Sequence, residues 1–118
     1  YEISIGIVGS EMCIRDRIKC ADQINIIEST LSDMDQNQRG HRMLIKSCER
    51  LEENLKNNGY TITKYLGDIY QSGMLFKEVQ VDPESETPDS EGKEIVRILI
   101  PEVQFDGKII QPASVIVK

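Results

Sequence analysis

The sequence has very little of the residues that metal sites, disulfide frameworks and most catalytic centres require. Its 118 residues include one histidine, three cysteines and no tryptophan. The number of cysteines is odd and none forms a CxxC pair, so a disulfide framework and the common zinc patterns are excluded, and we expect no metal and no other cofactor. No apolar run approaches the roughly 20 residues that cross a bilayer, and no segment has the order of a signal peptide. We therefore expect a soluble, cytoplasmic protein.

Basic residues are also scarce. The chain has 14 lysines and arginines against 20 aspartates and glutamates, which gives a net charge of −6 at pH 7. Such a chain repels phosphate backbones and anionic lipid, so nucleic acid and membrane surfaces are not expected partners. The length corresponds to a single domain with a modest hydrophobic core.

The first residues differ in character from the rest of the chain. Residues 8–17, VGSEMCIRDR, have neither helical nor strand periodicity. One possible back-translation of them resembles the transposon end and adapter used to prepare sequencing libraries. We therefore interpret residues 1–17 as a non-native tag, with the natural sequence beginning near Ile18. The alternative is a short apolar strand, ISIGIV, followed by a loop.

Two apolar series with alternating steps of three and four residues indicate two helices that pack against other helices. The register between them is broken in the polar segment Asp35–His41, which contains Gly40. A turn there gives a helical hairpin over residues 18–58, whereas a single continuous helix would need an irregular repeat. We favour the hairpin, which at this size must cover its apolar side with the rest of the chain or with a second copy. The first series is Cys20, Ile24, Ile27, Leu31 and Met34, and the second is Leu44, Cys48, Leu51 and Leu55.

After Gly59 the composition becomes typical of short strands. Proline, glycine and acidic residues fill residues 82–93, which we predict to be a solvated, mobile acidic loop. Asp106-Gly107 lies between two apolar runs and predicts a tight hairpin turn. The sequence therefore predicts an α+β chain, with a helical hairpin followed by a small, mostly antiparallel β-domain over residues 59–118. The predicted strands lie at 60–65, 74–81, 94–100, 103–105, 108–110 and 114–118.

Candidate catalytic groups are few. We expect His41 to be a solvated or capping histidine, because it lies in the polar turn. Cys20 and Cys48 fall on apolar positions, where a free cysteine acts as a small hydrophobic residue. No glycine-rich phosphate-binding motif occurs. The sequence therefore favours a binding protein over an enzyme.

The C-terminal run Asp106–Val117, DGKIIQPASVIV, resembles the closing signature of the GrpE family. That signature has a glycine turn, a basic residue, two aliphatic residues, Pro-Ala and a final aliphatic strand. Upstream, Leu51–Gly59 is similar to the end of the family's second short bundle helix. Leu66-Gly67-Asp68, followed by Tyr70, stands where the family has Leu-Gly-Glu and then Phe-Asp-Pro.

The resemblance implies a homodimer, in which each hairpin supplies half of a four-helix bundle, and a co-chaperone function. Members of this family bind the ATPase domain of a DnaK-type chaperone and promote the release of ADP. The implied contact residues are Tyr70, Gly107, Lys108 and Pro112. The expected dimerisation residues are Ile24, Ile27, Leu31, Leu44, Cys48, Leu51 and Leu55. An alternative is an adaptor that uses the same hairpin and β-domain without exchange activity.

Overall fold

The computed structural model describes residues 2–118, and their side chains from Ile14 onward. Its helical part consists of α1 (Glu2–Asp33) and α2 (His41–Asn57). The two helices pack on each other, so the predicted helical hairpin is present. The alternative interpretation of the first residues expected a short strand. The backbone is instead helical from Glu2. The side chains of residues 1–13 lie outside the described part of the chain. The interpretation of residues 1–17 as a tag therefore stays a prediction.

The connection between the helices lies where the register of the apolar residues breaks. The Asp35 carboxylate accepts a hydrogen bond from the backbone N–H of Asn37 at 2.9 Å, which forms a local turn. Gly40 precedes α2 with φ of 87°, a left-handed conformation that a residue with a Cβ rarely adopts. The turn over residues 34–40 therefore has a local cause, and a single continuous helix is excluded.

The remaining residues form two three-stranded sheets. The first sheet has the strand order β1-β4-β5 and is antiparallel throughout. The second has the order β2-β6-β3, in which β2 and β6 are parallel and β3 and β6 are antiparallel. Helices followed by strands confirm the α+β class. The strands are β1 (Tyr60–Thr63), β2 (Glu78–Val81), β3 (Ile95–Ile100), β4 (Glu102–Phe105), β5 (Lys108–Gln111) and β6 (Ser114–Val117).

The chain passes between the two sheets at prolines. Pro101 separates β3 of the second sheet from β4 of the first, and Pro112 lies between β5 of the first sheet and β6 of the second. Proline lacks the N–H that a ladder requires, so each strand ends there and the chain changes direction. The sequence therefore marks both crossovers, although it does not show that there are two sheets.

Each sheet contributes to its own hydrophobic cluster. The first cluster joins the hairpin to the first sheet through residues such as Leu55, Tyr60 and Val103. The second cluster lies on the second sheet and includes Ile95, Val115 and Val117. The Asn25 side chain of α1 donates a 2.9 Å hydrogen bond to the Ile98 carbonyl of β3, so the helix also covers an edge of the second sheet.

One predicted strand of the β-domain is shorter in the structure, and the prediction for the acidic loop is tested only in part. The strand expected over 74–81 begins at Glu78, because Met74 donates its N–H to Gln71 in a turn. Met74 and Phe76 are apolar because they pack on the second cluster from this loop. Residues 82–93 form turns and no strand, as predicted, but their mobility stays a prediction.

Candidate functional site

Four of the seven predicted dimerisation residues are buried inside the single chain. Ile24 and Leu31 of α1 pack with Cys48 and Leu55 of α2 in the first hydrophobic cluster. The same cluster includes strand residues, so the β-domain covers this side of the hairpin. We expected the hairpin to cover its apolar side with the β-domain or with a second copy. For these four residues, the β-domain provides the cover.

The other three predicted dimerisation residues remain accessible. Ile27 is 38% exposed, Leu44 is 49% exposed and Leu51 is 46% exposed. Met34 lies just beyond the last residue of α1, seven residues after Ile27, and is also partly exposed. We call Ile27, Met34, Leu44 and Leu51 the hairpin apolar face.

The position of this face follows from two neighbouring glutamates. Glu28 and Glu52 meet on one side of the hairpin, where both bind Lys64. Ile27 and Leu51 each precede one of these glutamates, and one residue is a rotation of about 100° around a helix. The hairpin apolar face therefore lies away from the side that holds Lys64.

The structure decides between the two roles expected for His41, in favour of capping, and corrects the expected environment of Cys20. His41 is not solvated: it is 5% exposed, and its Nε2 lies 2.7 Å from the Leu31 carbonyl oxygen. His41 thus caps the C-terminal end of α1. It is also the first residue of α2. Cys20 is exposed, and Ala21 is buried in its place, so the expectation of an apolar environment was wrong for Cys20.

The implied chaperone-contact residues do not form one cluster. Tyr70 lies between β1 and β2, where its ring stacks on Phe76 with centroids 5.9 Å apart. This aromatic pair packs on the second sheet. The backbone N–H of Tyr70 also donates to the Lys93 carbonyl at 2.8 Å. The position of Tyr70 is thus explained by packing alone.

Gly107 and Lys108 lie at the tip of the β4–β5 hairpin of the first sheet. Asp106 and Gly107 have φ values of 50° and 81°, the left-handed pair that a tight hairpin turn requires. This confirms the predicted Asp-Gly turn. Pro112 is exposed and lies in the crossover after β5. The four residues are therefore distributed between the two sheets and the segment that joins them.

A charged cluster that the sequence analysis missed lies between the hairpin and the sheets. The Lys64 ammonium, directly after β1, lies 2.9 Å from Glu28 Oε2 of α1 and also binds Glu52 Oε1 of α2. These three side chains line a cleft of about 200 Å³, together with residues that include Ile62, Tyr65 and Arg97. No local pattern in the sequence relates three residues that are 12 and 36 positions apart.

The two glutamates of this cluster differ in pKa. Burial, together with a hydrogen bond to Glu28, raises the pKa of Glu52 to about 7. The pKa of Glu28 is lowered, because hydrogen bonds to Glu52 and Lys64 outweigh the opposing effect of its burial. The two carboxyl groups therefore differ in how readily they ionise, although both bind the same ammonium.

The buried carboxylate of Glu102 links the segment after β1 to the crossover at Pro101. Glu102 is 1% exposed and accepts hydrogen bonds from the Tyr65 hydroxyl at 2.9 Å and from the Gln104 side chain at 3.1 Å. Burial and the neighbouring Glu102 raise the pKa of Tyr65 to about 12. Tyr65 also packs against Phe76, so this hydrogen bond connects the two sheets.

The described side chains offer few groups for bond chemistry. Burial raises the pKa of the Cys48 thiol, with a further contribution from Glu28 and Glu52, so the reactive thiolate is disfavoured. Over residues 14–118, no three His, Cys, Asp or Glu side chains lie close enough together to hold a metal ion. The helices described here include none that is long and apolar enough to span a bilayer.

No protein-family model matches the chain, and no curated protein sequence matches it. What connects the chain to the GrpE family is therefore a resemblance in the residues quoted above and in the order of the elements, and it stays a prediction.

Proposed function

We propose that this chain is a GrpE-like co-chaperone that forms a homodimer and promotes ADP release from a DnaK-type chaperone in the cytoplasm. The observation that carries the proposal is the half-exposed hairpin apolar face, on a helical hairpin that is followed by a small β-domain. A second copy covers this face and completes a four-helix bundle. The DGKIIQPASVIV run forms the β4–β5 turn, β5, the Pro112 crossover and β6.

Exchange requires no bond chemistry. The chain binds the open form of the ATPase domain more tightly than the nucleotide-closed form, and this difference in affinity expels ADP. The net charge of −6 accelerates encounter with a basic partner surface, at a rate that falls as salt is added.

The dimer is tested by light scattering or sedimentation at tens of micromolar protein. We expect Leu51→Asp to convert the dimer to a monomer without loss of helix, because Leu51 is already 46% exposed in the single chain. Leu66→Asp is the matched control, since Leu66 is 59% exposed and lies on a loop of the β-domain. A wild-type chain that is monomeric at this concentration, or equal effects of the two substitutions, would contradict the dimer.

The exchange activity is tested by the release of a fluorescent ADP from a DnaK-type chaperone, with and without the chain. Accelerated release supports the proposal. Binding to the chaperone without acceleration leaves the second candidate, an adaptor built on the same hairpin and β-domain. One observation favours that candidate: Tyr70 is held by the second sheet, apart from the Gly107 turn of the first. Absence of any binding contradicts the exchange activity on this chaperone.

A further inference from the structure

The Tyr65 side chain contacts both sheets of the β-domain. Tyr65 lies two residues after β1 of the first sheet, yet its ring packs on the hydrophobic cluster of the second sheet. Its hydroxyl donates a 2.9 Å hydrogen bond to Glu102 Oε1 of β4, which belongs to the first sheet. One side chain therefore joins the core of one sheet to a strand of the other.

The Glu102 carboxylate is held in place from within the first sheet. Glu102 is buried, and its Oε2 accepts a 3.1 Å hydrogen bond from the Gln104 side chain of the same strand. The Gln104 amide also donates to the Thr63 hydroxyl of β1 at 3.2 Å. Both carboxylate oxygens of Glu102 thus have a donor. Because a buried polar group loses free energy when its hydrogen bonds are unmade, this network holds the Tyr65 hydroxyl at one position.

A series of aromatic contacts continues from Tyr65 to Tyr70. The Tyr65 ring meets the Phe76 ring edge to face, with centroids 4.9 Å apart. Phe76 in turn stacks on Tyr70, with centroids 5.9 Å apart. Aromatic pairs at such separations prefer particular orientations, so the position of the Tyr65 ring constrains that of the Tyr70 ring. Tyr70 is thereby connected, through side chains alone, to β4 of the first sheet.

The backbone crosses between the sheets at short connections. Pro101 alone separates β3 from β4, and Pro112 and Ala113 separate β5 from β6. A short connection limits the distance between two strands, but its dihedral angles can still rotate. The angle between the sheets therefore depends on side-chain contacts across the junction. The hydrogen bond from Tyr65 to Glu102 is such a contact, and Glu102 directly follows Pro101.

We propose that Tyr65 and Glu102 are positioning residues, whose hydrogen bond fixes Tyr70 on the second sheet relative to the Gly107-Lys108 turn on the first. The consequence for binding rests on the proposed function: a partner that contacts both sheets binds more tightly when they are already held in one arrangement. Glu102 is too buried to contact a partner itself, so it acts through Tyr65 and Tyr70.

The arrangement of the sheets is measured by residual dipolar couplings of backbone N–H groups in the full chain. The couplings are fitted separately for the first sheet and for the second. We expect one common alignment tensor for both sheets in the wild type. Tyr65→Phe removes the hydroxyl and keeps the ring, and we expect it to abolish this agreement because the sheets then move relative to each other.

Two further variants serve as controls in the same measurement. Glu102→Gln keeps an acceptor oxygen for the Tyr65 hydroxyl, so it should retain the common tensor. Tyr70→Phe removes a hydroxyl from another ring of the same aromatic series and should also retain it. A loss of stability without a change in the angle between the sheets would lower the unfolding midpoint but leave the tensors equal.

Binding to a DnaK-type chaperone is then measured for the wild type, Tyr65→Phe and Glu102→Gln. We expect Tyr65→Phe to weaken binding about fivefold, the factor that corresponds to the loss of one neutral hydrogen bond. Glu102→Gln should bind like the wild type, because the hydrogen bond from Tyr65 is retained.

The proposal is overturned if Tyr65→Phe keeps one common tensor, or if Tyr70→Phe abolishes it as well. It is also overturned if Tyr65→Phe changes the angle between the sheets and leaves the affinity for the chaperone unchanged. A wild-type chain that does not bind the chaperone overturns the proposed function instead. In that case the dipolar couplings still decide whether Tyr65 and Glu102 fix the arrangement of the sheets.

Discussion

His41 shows how one side chain fixes the geometry of the hairpin. Its ring is buried at the start of α2, and Nε2 hydrogen-bonds to the carbonyl of Leu31 in the last turn of α1. The Leu31 carbonyl also accepts a 3.2 Å hydrogen bond from the backbone N–H of Met34, just beyond α1. His41 adds a second hydrogen bond to this carbonyl, from the other helix. A single histidine thereby ties the end of α1 to the start of α2.

We expect His41→Ala to lower the free energy of unfolding by about 2 kcal/mol, through loss of a hydrogen bond and of buried ring surface. Arg42→Ala is the control, because Arg42 is the next residue and is exposed. Urea denaturation followed by circular dichroism measures both. Equal losses for the two variants would show that the Leu31 contact contributes nothing.

The junction between α2 and β1 depends on a glycine. Gly59 has a φ of 90°, and its carbonyl accepts a hydrogen bond from the Asp106 N–H at 3.2 Å. The left-handed conformation ends the helix and lets β1 begin one residue later. The β4–β5 turn also lies against this glycine, so a local backbone requirement and a long-range contact coincide at one residue.

Gly59→Ala should destabilise the chain by at least about 1 to 2 kcal/mol, because a side chain strains this conformation. Its Cβ would also lie 3.1 Å from Asp106 Oδ1 and 3.2 Å from the Phe105 ring. Gly73→Ala is the matched control: no atom lies within 4 Å of its added Cβ, and its φ is not positive. The control should change stability by less than about 0.5 kcal/mol in the same denaturation assay. A similar loss in both variants would contradict the assignment.

At the scale of the whole molecule, one hydrophobic cluster holds the hairpin on the first sheet and another holds the second sheet together. Cys48 is buried in the first cluster, between the helices and the strands. Cys20 lies on the exposed side of α1. The reactivity of the Cys48 thiol therefore measures how well the core is closed, and that of the Cys20 thiol gives the rate at an exposed position.

We expect the Cys48 thiol to react with a thiol reagent at least about 100-fold more slowly than the Cys20 thiol, because burial blocks access and raises its pKa. Each thiol is measured alone, in Cys13→Ser/Cys20→Ser and in Cys13→Ser/Cys48→Ala. Urea below the unfolding midpoint should accelerate only the reaction of Cys48, since that reaction requires opening of the core. Comparable rates without urea would mean that the hairpin does not close on the first sheet.

The order of helices and strands, the turn after α1 and the Asp106-Gly107 hairpin could all be predicted from the amino-acid pattern. These features depend on apolar spacing and on the backbone preferences of glycine and proline, which act over a few residues. The burial of Ile24 and the exposure of Ile27 could not be predicted in this way, because both residues satisfy the same helical spacing and differ only in how the helices and strands pack. Only the tertiary structure decided that Glu28, Glu52 and Lys64 meet, since that contact arises when distant elements pack and no local pattern encodes it.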